Sequence, residues 1–194
     1  MNLLFLSVTD QSMHDLGKHV NLTSNYDYEN WIHGFSSLRH ELSIFDYYKS
    51  IVNNGPSATE NEIKKLVKKN QINLIILPMM KFEIGASLLD FFRKNNVKIL
   101  IVFFDDSQRF ENNNRYYIGL CDFIVTHESK YSLDLYKNFS CQAYFFPNYP
   151  SVNFYKKLLP FKIKPKVDLS KVSFVGTNIQ DRSKFINKLN LEGI

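Results

Sequence analysis

The apolar positions of the chain fall into short, near-continuous runs separated by helical patterns. The runs are Leu3–Val8, Ser43–Tyr47, Ile72–Leu77, Lys98–Phe104, Phe123–Thr126, Ala143–Phe146 and Val172–Val175. Most are hydrophobic throughout, as strands covered on both faces of a parallel sheet must be. Between them the spacing predicts helices over Tyr28–Leu42, Thr59–Lys69, Ile84–Asn95, Lys130–Asn138 and Gln180–Asn190. Trp31, Phe35 and Leu38 recur at helical spacing and read as core. Thr59 is the expected N-cap of the second helix, with Glu60 and Glu62 in its first turn, and Ser129 that of the fourth. Repeated strand–helix–strand units predict an α/β fold, a Rossmann-like open parallel sheet flanked by helices, with 3-2-1-4-5-6 as its default strand order.

The pattern changes after the sixth run. Pro147, Asn148 and Pro150 are followed by Pro160 and Pro165 among lysines. Proline removes backbone donors and disfavours helix just before itself, so this stretch reads as a linker. The expected organisation is a Rossmann-like domain over residues 1–149, an interdomain linker over 150–170, and a strand–helix unit over 171–194. That last unit is expected to be the truncated start of a second Rossmann-like domain.

Composition narrows the class without naming a function. The 194 residues are 44% hydrophobic and 22% charged, which is ordinary for a globular protein. A net charge of +5 with dispersed lysines does not indicate nucleic acid. The run Lys64-Lys65-Leu66-Val67-Lys68-Lys69 reads as the solvated face of a helix. Two cysteines, Cys121 and Cys141, suggest neither a disulfide framework nor a zinc site, so a reducing, cytoplasmic compartment is expected. The first ten residues lack a basic n-region and read as a strand, not a signal peptide. No run approaches the ~20 apolar residues that span a bilayer.

Doubly wound sheets bind ligands outside the carboxyl ends of their strands, which directs attention to the residues standing there. After the first run come Asp10 and His14, after the third Pro78 and Met79, and after the fourth Asp105 and Asp106. His127, Glu128 and Ser129 follow the fifth, and Pro147 and Asn148 the sixth. A carboxylate pair such as Asp105-Asp106 can hold a divalent metal, bind sugar hydroxyls or act as a general base. It can equally cap the next turn with one member and face water with the other. A receiver domain is disfavoured, because Pro78-Met79 stand where its acidic phosphoacceptor would be. His14 and His127 can each serve as a base, although a lone loop histidine is more commonly a surface residue. Near the C-terminus, Gly176, Thr177 and Arg182 combine a strand, a glycine turn and a helix start, a candidate anion site. A last edge strand closed by a surface helix fits that spacing equally well. Neither GxGxxG nor GxxxxGK[ST] is present.

The string Val172-Ser-Phe-Val-Gly-Thr177, followed by Arg182 and Leu189-Asn-Leu-Glu-Gly-Ile194, resembles the spore-maturation CgeB-like glycosyltransferases. Further segments resemble that family in order: Phe45-Asp46-Tyr47-Tyr48, Phe103-Phe104-Asp105-Asp106-Ser-Gln-Arg109-Phe110, Tyr116-Tyr117, Cys121-Asp122-Phe-Ile-Val-Thr126 and Phe146-Pro147-Asn148. The resemblance implies a GT-B architecture, with an acceptor-side Rossmann-like domain facing a nucleotide-sugar-binding one. Gly176, Thr177 and Arg182 match the donor-phosphate turn. Asp105, Asp106 and Asn148 match positions facing the cleft, with Asp10, His127 and Glu128 on the same acceptor side. Asp105, Asp106 and His14 are the candidate catalytic residues. GT-B enzymes generally need no metal, so no cofactor or metal is expected beyond the nucleotide sugar as donor substrate. A metal-dependent GT-A enzyme using the aspartate pair is a further, less favoured reading. Thr177 replaces the usual Ser. The family's donor domain continues well past the position of Ile194, so this chain alone is expected to show little or no transfer. Outside that family, a standalone Rossmann-like module binding carbohydrate or protein also fits the sequence.

Overall fold

The computed structural model describes residues 1–7, 31–79, 84–128, 130–139 and 142–146, together with positions 184 and 188. The chain separates into two compact units, Met1–Leu158 and Leu159–Ile194. In the second unit, Lys184 and Lys188 are helical and exposed. The expected linker, the last strand and the donor-phosphate turn lie outside the described residues.

In the first unit six parallel strands form one open sheet: β1 (Asn2–Ser7), β2 (Glu41–Asp46), β3 (Leu74–Met79), β4 (Lys98–Phe103), β5 (Phe123–Thr126) and β6 (Gln142–Phe145). Their order is β2-β1-β3-β4-β5-β6, not the expected 3-2-1-4-5-6. This is the other common doubly wound order, in which the chain reverses direction across the sheet between β1 and β3. Pairing of β1 with β3 ends at Phe5 and Ile76, although both strands run on. Pro78 and Met79, expected just past the third strand, are therefore part of it and pair with Val102 and Phe103 of β4. Pro78 lies beyond the stretch bonded to β1, where a missing N–H is tolerated.

Alternation along the strands divides the core. Leu4, Leu6, Ile75, Leu77, Ile99, Ile101, Phe103 and Ile124 face one large apolar layer, together with Ile63, Val67, Leu88, Leu89 and Phe92. Leu3, Phe5, Ile76 and Val102 face the other side, where Ile32, Trp31 and Phe35 pack. The helices are α1 (His33–Ser36), α2 (Tyr47–Asn54), α3 (Pro56–Lys69), α4 (Ala86–Lys94), α5 (Asp106–Arg109) and α6 (Lys130–Lys137), with a 3-10 helix at Asn114–Leu120.

Several helix boundaries differ from the sequence reading, each for a local reason. The helix expected over Tyr28–Leu42 ends at Ser36, and β2 starts at Glu41 through pairing with Asn2. Leu38, expected in the core, is exposed. α2 was not foreseen; Asp46 caps it, its Oδ1 accepting the Lys49 N–H at 2.9 Å. α3 begins at Pro56, a residue suited to a first helical position. Thr59 is thus not a cap but a buried residue one turn in, its hydroxyl donating to the Gly55 carbonyl and meeting Ser50 Oγ, both at 2.9 Å.

α3 and α4 end alike. Gln71 and Asn96 adopt positive φ (48° and 57°) just past each helix. Ile72 N–H bonds the Val67 carbonyl (3.1 Å) and Gln71 N–H that of Lys68 (3.4 Å). Val97 N–H bonds Phe92 (2.9 Å) and Asn96 N–H bonds Arg93 (3.0 Å). Both are Schellman endings, in which the residue after the left-handed one is apolar and turns inward. They aim the chain into β3 and β4. Among the described residues no helix is long and apolar enough to cross a membrane.

Candidate functional site

The carboxyl ends of β4 and β5 carry the densest polar chemistry among the described residues. β4 ends at Phe103, and two residues on the chain turns sharply at Asp105, which has left-handed backbone angles (φ 54°, ψ 44°). Aspartate tolerates this region better than most residues, but the conformation is still uncommon and clusters at functional sites. The Asp105 side chain is exposed, and one carboxylate oxygen lies 3.7 Å from Arg109 Nε.

The same turn sends Asp106 the other way. Its side chain is fully buried and accepts from Asn114 Nδ2 at 2.8 Å, from the Tyr136 hydroxyl and from Thr126 Oγ1. Asn114 Nδ2 also reaches the Tyr136 hydroxyl at 3.1 Å, and Asn113 Nδ2 donates to Asn114 Oδ1 at 2.9 Å. A buried carboxylate is tolerable when it is so enclosed by donors. The aspartate pair is therefore split, with one carboxylate open to solvent and one built into the fold. Of the two sequence alternatives, the cap-and-water reading describes Asp105 in part; it does not describe Asp106.

Glu128 ties the two strand ends together. Its Oε2 accepts the Ser107 N–H at 2.6 Å, and Ser132 Oγ lies 3.4 Å away. Burial pushes the Glu128 carboxyl up, but hydrogen bonds from Ser107, Ser132 and the Asp106 backbone outweigh it and hold the pKa below its ordinary 4.5. Its neighbour His127 stands among aromatic rings. Phe104 stacks on it at 5.1 Å between centroids, Trp31 meets it edge-on at 5.4 Å, and Phe146 lies at 6.0 Å. His127 Nδ1 is bonded to the Phe146 carbonyl. Burial lowers the His127 pKa below 6.5, against the opposing effects of that carbonyl and of the Asp106 charge.

Asp105, Asp106, His127 and Glu128 are thus brought to one edge of the sheet. Asp10, His14, Asn148, Gly176, Thr177 and Arg182 lie outside the described residues. Asp122, in the segment Cys121–Thr126, stands at the opposite, amino end of β5. Its Oδ2 accepts the Ile99 N–H at 2.9 Å and its Oδ1 bonds Lys98 Nζ at 2.6 Å, a fastening of β4 to β5. Sequence reasoning missed Asn114, Thr126 and Tyr136 as the enclosure of Asp106, and Trp31, Phe104 and Phe146 as the surroundings of His127. The asparagines read as loop and the aromatics as generic core. Only the placement of Thr126 in phase with buried Ile124 signalled an inward hydroxyl. Among the described residues no group of three or more His, Cys, Asp or Glu side chains is arranged to hold a metal ion.

Sheet and polar edge together define a Rossmann-like α/β domain with its chemistry at the strand ends. Compared with protein-family models, curated proteins and solved structures, the chain has no significant match.

Proposed function

We propose that this chain is the acceptor-side part of a GT-B glycosyltransferase of the CgeB-like kind, moving a hexose from a nucleotide sugar to a glycan, protein or small acceptor. The observation that carries the reading is the paired strand-end cluster. Exposed, left-handed Asp105 and ring-enclosed His127 stand just past the ends of adjacent parallel strands, whose following segments are joined by the Ser107–Glu128 hydrogen bond. This supports a surface that positions a substrate beside an exposed carboxylate and a neutral imidazole. The donor would be held in a second domain, where the helix start and the guanidinium expected from the sequence at Gly176, Thr177 and Arg182 would stabilise a departing diphosphate.

The test is nucleoside diphosphate release from a panel of nucleotide sugars by the product of the full open reading frame. Acceptor-dependent release that falls when Asp105 becomes Asn supports the proposal. Absence of both release and nucleotide-sugar binding across the panel overturns it.

A second reading, a binding module without transfer, is favoured by one observation. Tyr131, Phe139, Tyr144, Phe145 and Phe146, on or beside α6 and β6, all have exposed side chains. Exposed aromatics of this kind commonly mark a partner-facing surface. Stoichiometric carbohydrate or protein capture with no nucleotide turnover would select this reading.

A further inference from the structure

Two buried side-chain nitrogens at the carboxyl edge, Trp31 Nε1 and His127 Nε2, have no hydrogen-bond partner among the described residues. Buried polar atoms are nearly always bonded, so each exception calls for an explanation. Here the two are chemically complementary. The Phe146 carbonyl can only accept, which places the His127 proton on Nδ1 and leaves Nε2 as a lone-pair acceptor. Burial keeps the ring neutral near pH 7. Trp31 Nε1 can only donate. Their rings meet edge-on with centroids 5.4 Å apart.

One unpartnered donor and one unpartnered acceptor on two touching rings are the complement of a hydroxyl group, which takes one hydrogen bond and gives another. A carbonyl would satisfy Trp31 alone and an ammonium His127 alone. An anion would meet the His127 lone pair unfavourably. The surroundings select further: Phe104 stacks on His127, and Phe146 lies 6.0 Å from both Trp31 and His127. Such a mainly aromatic lining with two placed polar atoms suits a ring with C–H faces and hydroxyl edges. Phe146 is exposed and Trp31, Phe104 and His127 are half-buried, so the rim of the cluster reaches the surface while the two nitrogens lie beneath it.

We propose that Trp31 and His127 hold a hydroxyl of a neutral polyhydroxylated ring, a sugar or cyclic polyol, at the carboxyl ends of β4 and β5. The description of that ring as the acceptor rests on the transferase reading; the binding itself does not.

Trp31 is the sole tryptophan of the chain, so its indole N–H gives one unambiguous NMR resonance. The protein is titrated with free monosaccharides, myo-inositol and, as charged controls, sugar phosphates. The expected result is a saturable shift of the Trp31 indole N–H and of His127 Nε2 with at least one neutral ring. His127→Phe, which keeps the ring and removes the acceptor, is expected to weaken that binding about tenfold, the usual scale for one lost hydrogen bond. His127→Gln, which restores an acceptor, should recover part of it. The proposal is overturned if no neutral ring moves both resonances, if sugar phosphates alone bind, or if His127→Phe binds equally well. It is also overturned if the indole proton shows contact with a long-lived buried water bridging the two nitrogens. Ring binding without nucleotide turnover would sink the transferase reading and leave this one standing. Turnover with both resonances indifferent would do the reverse.

Discussion

The hydroxyl of Thr126 donates to Oδ2 of Asp106, bonding the last residue of β5 to the first residue of the helix that follows β4. With Asn114 and Tyr136 on Oδ1, the carboxylate becomes the hub of the β4–β5 edge. Replacing Asp106 by Ala leaves buried neutral donors with no acceptor, and each such unsatisfied group costs about 1–3 kcal/mol. Asp106→Asn retains one acceptor oxygen but sets its NH2 against a donor, and should fall between Ala and the natural residue. Urea unfolding checks both. Equal stability of Asp106→Ala and the natural chain would refute the hub.

Asp105 separates backbone from charge. Its contact with Arg109 is exposed, and such pairs are worth about 0–1 kcal/mol. Its left-handed backbone is the stronger constraint. Asp105→Asn, which keeps tolerance of that region, should change stability by less than about 0.5 kcal/mol. Asp105→Val, branched at Cβ, should cost about 1–3 kcal/mol. If the two variants melt together, the turn is not under that constraint.

The matched endings of α3 and α4 offer a route to a more stable protein. Gln71 and Asn96 occupy positive-φ positions that glycine takes without steric cost. Gln71→Gly should stabilise by about 0.5–1 kcal/mol, and Asn96→Gly by less, because asparagine is already at home there. In a domain of this size 1 kcal/mol corresponds to a Tm rise of roughly 2–4 °C, read by thermal melting.

His127 makes stability depend on pH with a definite sign. Burial, the largest effect, lowers its folded pKa below the ordinary 6.5. Between that lowered value and 6.5 the unfolded chain binds more protons than the folded one, so stability rises with pH across this window. The contribution is complete above 6.5 and is lost as pH falls below it toward the folded pKa. His127→Phe should flatten this limb when unfolding free energy is measured from pH 5 to 7.5. The Glu128 carboxyl, held below 4.5, contributes at lower pH: its share is present above 4.5 and lost as pH falls through the depressed value.

The α/β class was legible because buried parallel strands write themselves as continuous apolar runs; Phe123–Thr126 was read to the residue. Strand order was not: the mixed polarity of β2 (Glu41, Ser43, Asp46) beside the wholly apolar β3 suits an edge and an interior strand, but the default order was assumed in place of that contrast. Asp105 and Asp106 were found as a pair, but their opposite orientations depend on a single left-handed residue that no local pattern announced. The enclosure of Asp106 joins residues up to 30 positions apart, through side chains that are individually ordinary in a loop or on a helix.

Strand order also bears on the order of events during synthesis. Asn2, at the start of β1, exchanges bonds with residue 73: its N–H reaches Asn73 Oδ1, and its carbonyl accepts the Asn73 N–H, both at 2.8 Å. Its side-chain amide reaches the Asn70 and Gln71 carbonyls as well. β1 is thus flanked on both edges only after β3 has been made. From there each strand to β6 docks beside its immediate predecessor. The amino-terminal half must wait for a distant partner, while the rest is laid down in order.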